Sequence, residues 1–191
     1  IESSIRDLQD VIKALGLKKY HLLGQSWGGI LGYEFLRSAA DATEDEGCQS
    51  LVISNTPTSV HQVEADAARM VEELGGESRA DIAQAFSLAH ECRLAQRPQR
   101  LIDAYAHAGS LWRGTSAIKS WALQEGAIKI KTPTLVVRGQ HDFVTEASQE
   151  GWKEACSRVR YKCVPDASHH TLLEAPSDYL EMVDSFLAEY D

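Results

Sequence analysis

The chain has 191 residues, enough for one ordinary domain or one domain with a modest insert. Hydrophobic residues make up 43% and charged residues 25%, a balance that supports a buried core and excludes wholesale disorder. A net charge of −9 repels phosphate backbones and so argues against nucleic-acid binding, and no apolar run is long enough for a membrane span.

From the start of the chain, Ile5, Leu8, Val11, Ile12 and Leu15 recur at helical spacing, which predicts a helix over 3–15. Ser4 with Asp7 resembles its capping box, and Gly16 its stop. Residues 19–23 read as a short strand, followed by a Gly-rich turn (24–29) and a helix from about Trp27 to Ala39. Residues 40–49 form an acidic, solvated loop, and Leu51-Val52-Ile53 reads as a buried strand.

Strand texture then disappears from about Val60 to Gly126. Val63, Ala67, Met70, Val71 and Leu74 share a helical face, Gly75-Gly76 breaks it, and helices follow over 78–95 and 98–109. A strand returns at 134–138, then a helix (146–157), a strand (159–164), a loop and a final helix (176–190). Strands alternating with helices imply an α/β fold: a mostly parallel sheet with helices on both faces. The central segment is too long for a plain connection and is expected to be a helical cap, giving a core of residues 1–58 and 127–191 and a cap of 59–126.

The four cysteines (48, 92, 156 and 163) lack Cys-x-x-Cys spacing and read as reduced, mostly buried thiols, Cys156 and Cys163 in the core. With no signal-peptide pattern in the first residues, a cytoplasmic location is expected.

Gly24-Gln25-Ser26-Trp27-Gly28 matches Gly-x-Ser-x-Gly. Chance yields such a match in roughly one chain of this length in fifteen, so the motif alone is weak. Its setting gives it weight: a strand ends before it and a helix begins after it, as a nucleophile elbow requires. The sharp turn calls for residues without side chains at Gly24 and Gly28, and it places Ser26 at a helix N-terminus, where developing negative charge is favoured. A serine hydroxyl needs a base, and the base needs an orienting acid. Asp142 follows the strand 134–138, and His169-His170 follow the strand 159–164, so the order Ser, acid, His is that of such hydrolases. His141, His169 and His170 lack metal-ligand spacing, and neither a metal nor an organic cofactor is expected.

Five stretches together are similar to the α/β-hydrolase superfamily and, within it, to the proline iminopeptidase and L-amino-acid amidase family. They are His21 to Gly29, Leu51 to Pro57, His90 to Leu94, Pro133 to Asp142 and Ser168 to Pro176. The resemblance spans nearly the whole chain. It implies Ser26 as nucleophile, Asp142 as triad acid and His169, rather than His170, as base, with the Trp27 amide as one half of the oxyanion hole. It also implies an upstream His-Gly-Gly-Pro loop as the other half. No such loop occurs, and the chain begins at Ile1 without an initiator Met, so the resemblance implies the C-terminal part of a longer protein. Such a piece is expected to expose an edge of the strand near 20–24, to aggregate and, with one oxyanion donor missing, to be essentially inactive by itself.

Aminopeptidases of this family hold the substrate's free amine with two glutamates. The matching positions here are Phe143 and Leu111, which argues against that mode of amine recognition; Glu125 and Glu146 are substitutes to consider. Trp112, Arg113 and Trp121 are candidates for lining an acyl or proline-sized pocket, with core packing an equal reading for the two tryptophans. The expected function is a serine hydrolase that cleaves an amide or ester of a small molecule or short peptide. The alternatives are an esterase or lactonase of secondary metabolism, favoured by Phe143 and Leu111, and an inactive fragment or pseudo-enzyme that only binds. Dehalogenases and epoxide hydrolases are disfavoured because their nucleophile is Asp.

Overall fold

The structure, a computed structural model, describes residues 1–42, 47–108 and 118–191. Four parallel strands form one sheet in the order β1-β2-β3-β4: β1 (Tyr20–Gln25), β2 (Cys48–Ser54), β3 (Thr134–Gly139) and β4 (Val159–Val164). The register is regular across its centre, with Leu51, Val52, Ile53 and Ser54 opposite Thr134, Leu135, Val136 and Val137.

The two central strands alternate between two cores, as the pleat requires. Leu51, Ile53 and Val136 face a cluster with Tyr33, Phe35 and Leu36 of α2 (Trp27–Ala42) and with Trp152 and Cys156. Val52, Leu135 and Val137 face Tyr179, Val183 and Phe186 of the last helix, Pro176–Leu187. Helices therefore cover both faces of β2 and β3, which explains why those strands read as unbroken apolar runs. The first helix, α1 (Glu2–Ala14), packs Ile5, Leu8 and Ile12 against the first core, while Val11 and Leu15 stay exposed. It begins at Glu2, so Ser4 and Asp7 lie inside it and form no capping box.

Between β2 and β3 the helices among the described residues include α3 (Val60–Glu73), α4 (Ile82–Phe86), a π-helical turn (Ser87–Glu91) and α5 (Gln99–Ala108), and no strand longer than an isolated bridge occurs among those residues. The segment predicted as one helix over 78–95 is therefore the short α4 and a π turn, closed by the Cys92 amide on the Ser87 carbonyl at 3.0 Å. The ends of this segment meet at an antiparallel bridge between Ser59 and Ala122, with the Leu123 amide on the Thr58 carbonyl at 2.9 Å.

The helix expected over 146–157 is split into α6 (Glu146–Gln149) and α7 (Trp152–Ala155). The split falls at Gly151, where a Cβ would approach the Thr58 side chain to 3.0 Å. Beyond it the Trp152 indole donates to the Thr56 carbonyl at 3.0 Å. A one-turn helix, α8 (Thr171–Glu174), precedes the last helix, α9. Cys48, Cys92 and Cys156 are buried, but Cys163, expected in the core, is exposed: β4 is an edge strand of which only Val164 is buried.

Candidate active site

Ser26 sits between the end of β1 and the start of α2 with φ at 52°, in the left-handed region that a side chain rarely adopts. Two neighbours hold it there. Its amide donates to the Ser54 carbonyl at 2.8 Å, and its carbonyl accepts from the Thr56 hydroxyl at 3.0 Å. The turn is tight because Gly24 lies against the backbone of Gly28: a Cβ at Gly24 would stand 2.1 Å from the Gly28 carbonyl oxygen. The second small residue the elbow needs is Gly29, whose Cβ would stand 2.2 Å from Thr56 Oγ1. Gly28, expected to be that residue, has open space where a Cβ would go; it lines the cleft instead.

His169 and Asp142 arrive from the C-terminal ends of β4 and β3. His169 Nδ1 lies 2.9 Å from Asp142 Oδ1, and both residues are buried. Asp142 Oδ1 also accepts the Val144 amide at 3.0 Å. The His169 loop is gripped from both sides. The Gln25 side-chain amide donates to the His169 carbonyl at 2.8 Å, and the His169 and His170 amides donate to the His90 and Glu91 carbonyls at 3.2 and 3.0 Å. His90 and Glu91 end the π turn, so their carbonyls have no partner further along the helix and are available to these amides.

Ser26 and His169 line one cleft of about 500 Å³, with Trp27, Leu101, Ala104, Tyr105 and His170 among its walls. No direct hydrogen bond joins Ser26 Oγ to the imidazole, whose Nε2 has no partner among the described residues. The Trp27 amide, in the first turn of α2, also meets no backbone carbonyl among them, so a donor remains free at the helix N-terminus beside Ser26.

Phe143 stacks on the His169 ring, centroids 4.3 Å apart and planes 30° from parallel, with Phe86 behind it at 6.0 Å. His170 shares a 2.9 Å hydrogen bond with the Tyr105 hydroxyl. Burial, with His169 alongside, pushes the His170 imidazole down to about 4, so it is neutral at pH 7.

Trp121 is not a wall of this cleft. It packs in the first core beside Trp152 and donates its indole N–H to buried Glu34 at 2.9 Å. Glu146 is engaged with Arg138 at 2.9 Å on the outer surface, and Glu125 is exposed. Leu111, Trp112 and Arg113 lie outside the described residues. Sequence reasoning gave no role to Leu101, Ala104 and Tyr105, nor to Asn55. The only sequence signal for Asn55 was a polar triplet, Ser54-Asn55-Thr56, closing an apolar strand.

A parallel sheet covered on both faces, with an elbow at one strand end, defines an α/β hydrolase. The family model described as "alpha/beta hydrolase fold" matches residues 1–124, and the chain belongs to that family. Among curated proteins it is similar to the proline iminopeptidase of Lactobacillus helveticus, 23% identical over 217 residues, covering 100% of this chain and 72% of that protein. The proline iminopeptidase of Lactobacillus acidophilus is 24% identical, with 100% and 73% covered. Among solved structures, the Mycobacterium smegmatis proline iminopeptidase aligns with a TM-score of 0.76 at 26% identity, covering 97% of this chain and 70% of that one. The crystal structure of VinJ aligns at 0.77 and 22% identity, covering 98% and 72%, and supports the fold alone. The family and these relatives support a hydrolase.

Proposed function

We propose that this hydrolase is a serine hydrolase that cleaves an amide or ester through an acyl-enzyme. The observation that carries the reading is the convergence in one cleft of a serine on a positive-φ elbow and a histidine whose Nδ1 is committed to a buried carboxylate. Asp142 accepts a hydrogen bond from His169 Nδ1–H, which keeps that proton on Nδ1 and leaves Nε2 as the basic nitrogen. Nε2 removes the Ser26 proton as Oγ attacks the substrate carbonyl, and it returns that proton to the leaving group. The charge on the carbonyl oxygen is met by the Trp27 amide and the positive end of α2. Water then repeats the sequence and frees the acid. Substrate and water satisfy this balance, with no further cofactor. The substrate is a small molecule or short peptide, in keeping with a cleft of about 500 Å³.

A second reading within the same chemistry, an esterase or lactonase, is favoured by Phe143. At the position where an amine-binding carboxylate is expected by resemblance, an apolar ring covers His169. A desolvated ammonium has no acidic partner there.

A fluorophosphonate probe tests the common step. The expected result is labelling of Ser26 that is abolished in His169→Ala and retained in His170→Ala. Loss in His170→Ala alone would overturn the assignment of the base.

A further inference from the structure

Asn55 follows β2 directly, is fully buried and has φ at 52°. Its side-chain Nδ2 lies 2.7 Å from Asp142 Oδ2, 3.2 Å from the Ser168 carbonyl and 2.9 Å from Thr171 Oγ1. Its Oδ1 accepts from the Ser54 hydroxyl at 2.8 Å. These partners fix which way the amide faces. Asp142 and the Ser168 carbonyl are acceptors only, so the NH2 group must point at them. Asp142 therefore divides its two oxygens: Oδ1 serves His169 and the Val144 amide, and Oδ2 is held by Asn55. The Asp142 side chain has no exposed surface, so its oxygens depend on partners within the protein.

We infer that Asn55 is a positioning residue of this site, which locks the Asp142 carboxylate in rotation so that Oδ1 is presented to His169 Nδ1. The same amide spans the Ser168 carbonyl and Thr171, which bracket His169, so one side chain sets both the acid and the loop that carries the base. The inference rests on the serine-hydrolase reading for its kinetic consequence and on geometry alone for its structural one.

Two variants of the full chain test it. Asn55→Gly accepts the left-handed backbone and removes only the amide. Asn55→Asp keeps the shape and also tolerates that φ, but sets a second carboxylate against Asp142 Oδ2. The expected results are Ser26 labelling by fluorophosphonate slowed about ten- to a hundredfold in Asn55→Gly, and an acid limb of the labelling-rate profile moved up by about one pH unit or more in Asn55→Asp. Where Asn55→Gly does not fold by circular dichroism, Asn55→Asp carries the test by its pH profile. Wild-type rate and profile in a folded variant would overturn the inference. Should the wild-type chain not label at Ser26 at all, the serine-hydrolase reading fails, and the inference is judged on the low-field proton resonance of His169 Nδ1–H. Its loss or displacement in the variants supports the positioning role, and an unchanged resonance overturns it.

Discussion

His170 and Phe143 both pack against His169, the residue proposed as base. The His170 imidazole is held neutral down to about 4 by burial, whereas in the unfolded chain it protonates near the ordinary histidine value of 6.5. Between those two values the unfolded state binds more protons, so stability is present in full above about 6.5 and falls as the pH drops towards 4. Urea unfolding at pH 7 and pH 5 is expected to differ by about 1–2 kcal/mol from this residue, discounted for partial exposure. In His170→Gln that share of the difference disappears. Phe143 bears on substrate choice. Proline p-nitroanilide is expected to be hydrolysed more slowly than its N-acetylated analogue or a short p-nitrophenyl ester, and Phe143→Glu is expected to raise the relative rate on the free amine. A wild-type preference for the free amine would count against an apolar binding site.

At the scale of elements, the elbow and the π turn are the two pieces that sequence spacing described incompletely. The Gly-x-Ser-x-Gly pattern located the turn but misassigned its steric requirement, because that depends on which backbone passes behind each Cβ. Gly24→Ala drives a methyl group into the Gly28 carbonyl and is expected to lose about 3 kcal/mol or more. Gly28→Ala points a methyl group into open space and is expected to change stability by less than about 1 kcal/mol. Thermal or urea unfolding of the two variants side by side checks this; equal losses would contradict the geometry. The segment 78–95 carries helical periodicity, yet it switches to a π turn where the His90 and Glu91 carbonyls must reach the amides of the His169 loop. A contact made 79 residues downstream cannot be read from local periodicity, so that boundary was illegible.

For the molecule as a whole, the sheet is well covered at its centre and open at β1. That strand pairs only with β2 among the described residues, and Leu23 on it is 51% exposed. An unpaired edge with an exposed apolar side chain is a template for further strands. The 191-residue chain is therefore expected to self-associate in a concentration-dependent way, seen by sedimentation velocity. Leu23→Lys, which sets a charge on that edge, is expected to reduce the association. A monomer at all concentrations would mean that the edge is protected by another route.

The alternation of strands and helices, the two-sided burial of the central strands and the placement of Ser26, Asp142 and His169 just past strand ends were all legible in the amino-acid sequence. Each follows from local pattern: an apolar run for a buried strand, a glycine-bracketed serine between strand and helix, and polar residues just past strand ends. The choice of His169 over its neighbour needed the resemblance, since two adjacent histidines in a loop are equivalent by pattern. What only the tertiary structure decided is which side chains finish in contact. Trp121 joined the core because Glu34 and Trp152 were there to receive it, and Phe143 came to lie on His169. Asn55 met Asp142, 87 residues away, because parallel strands deliver their C-terminal ends to one edge of the sheet. Such meetings depend on strand order and register across the whole chain, which no window of the sequence contains.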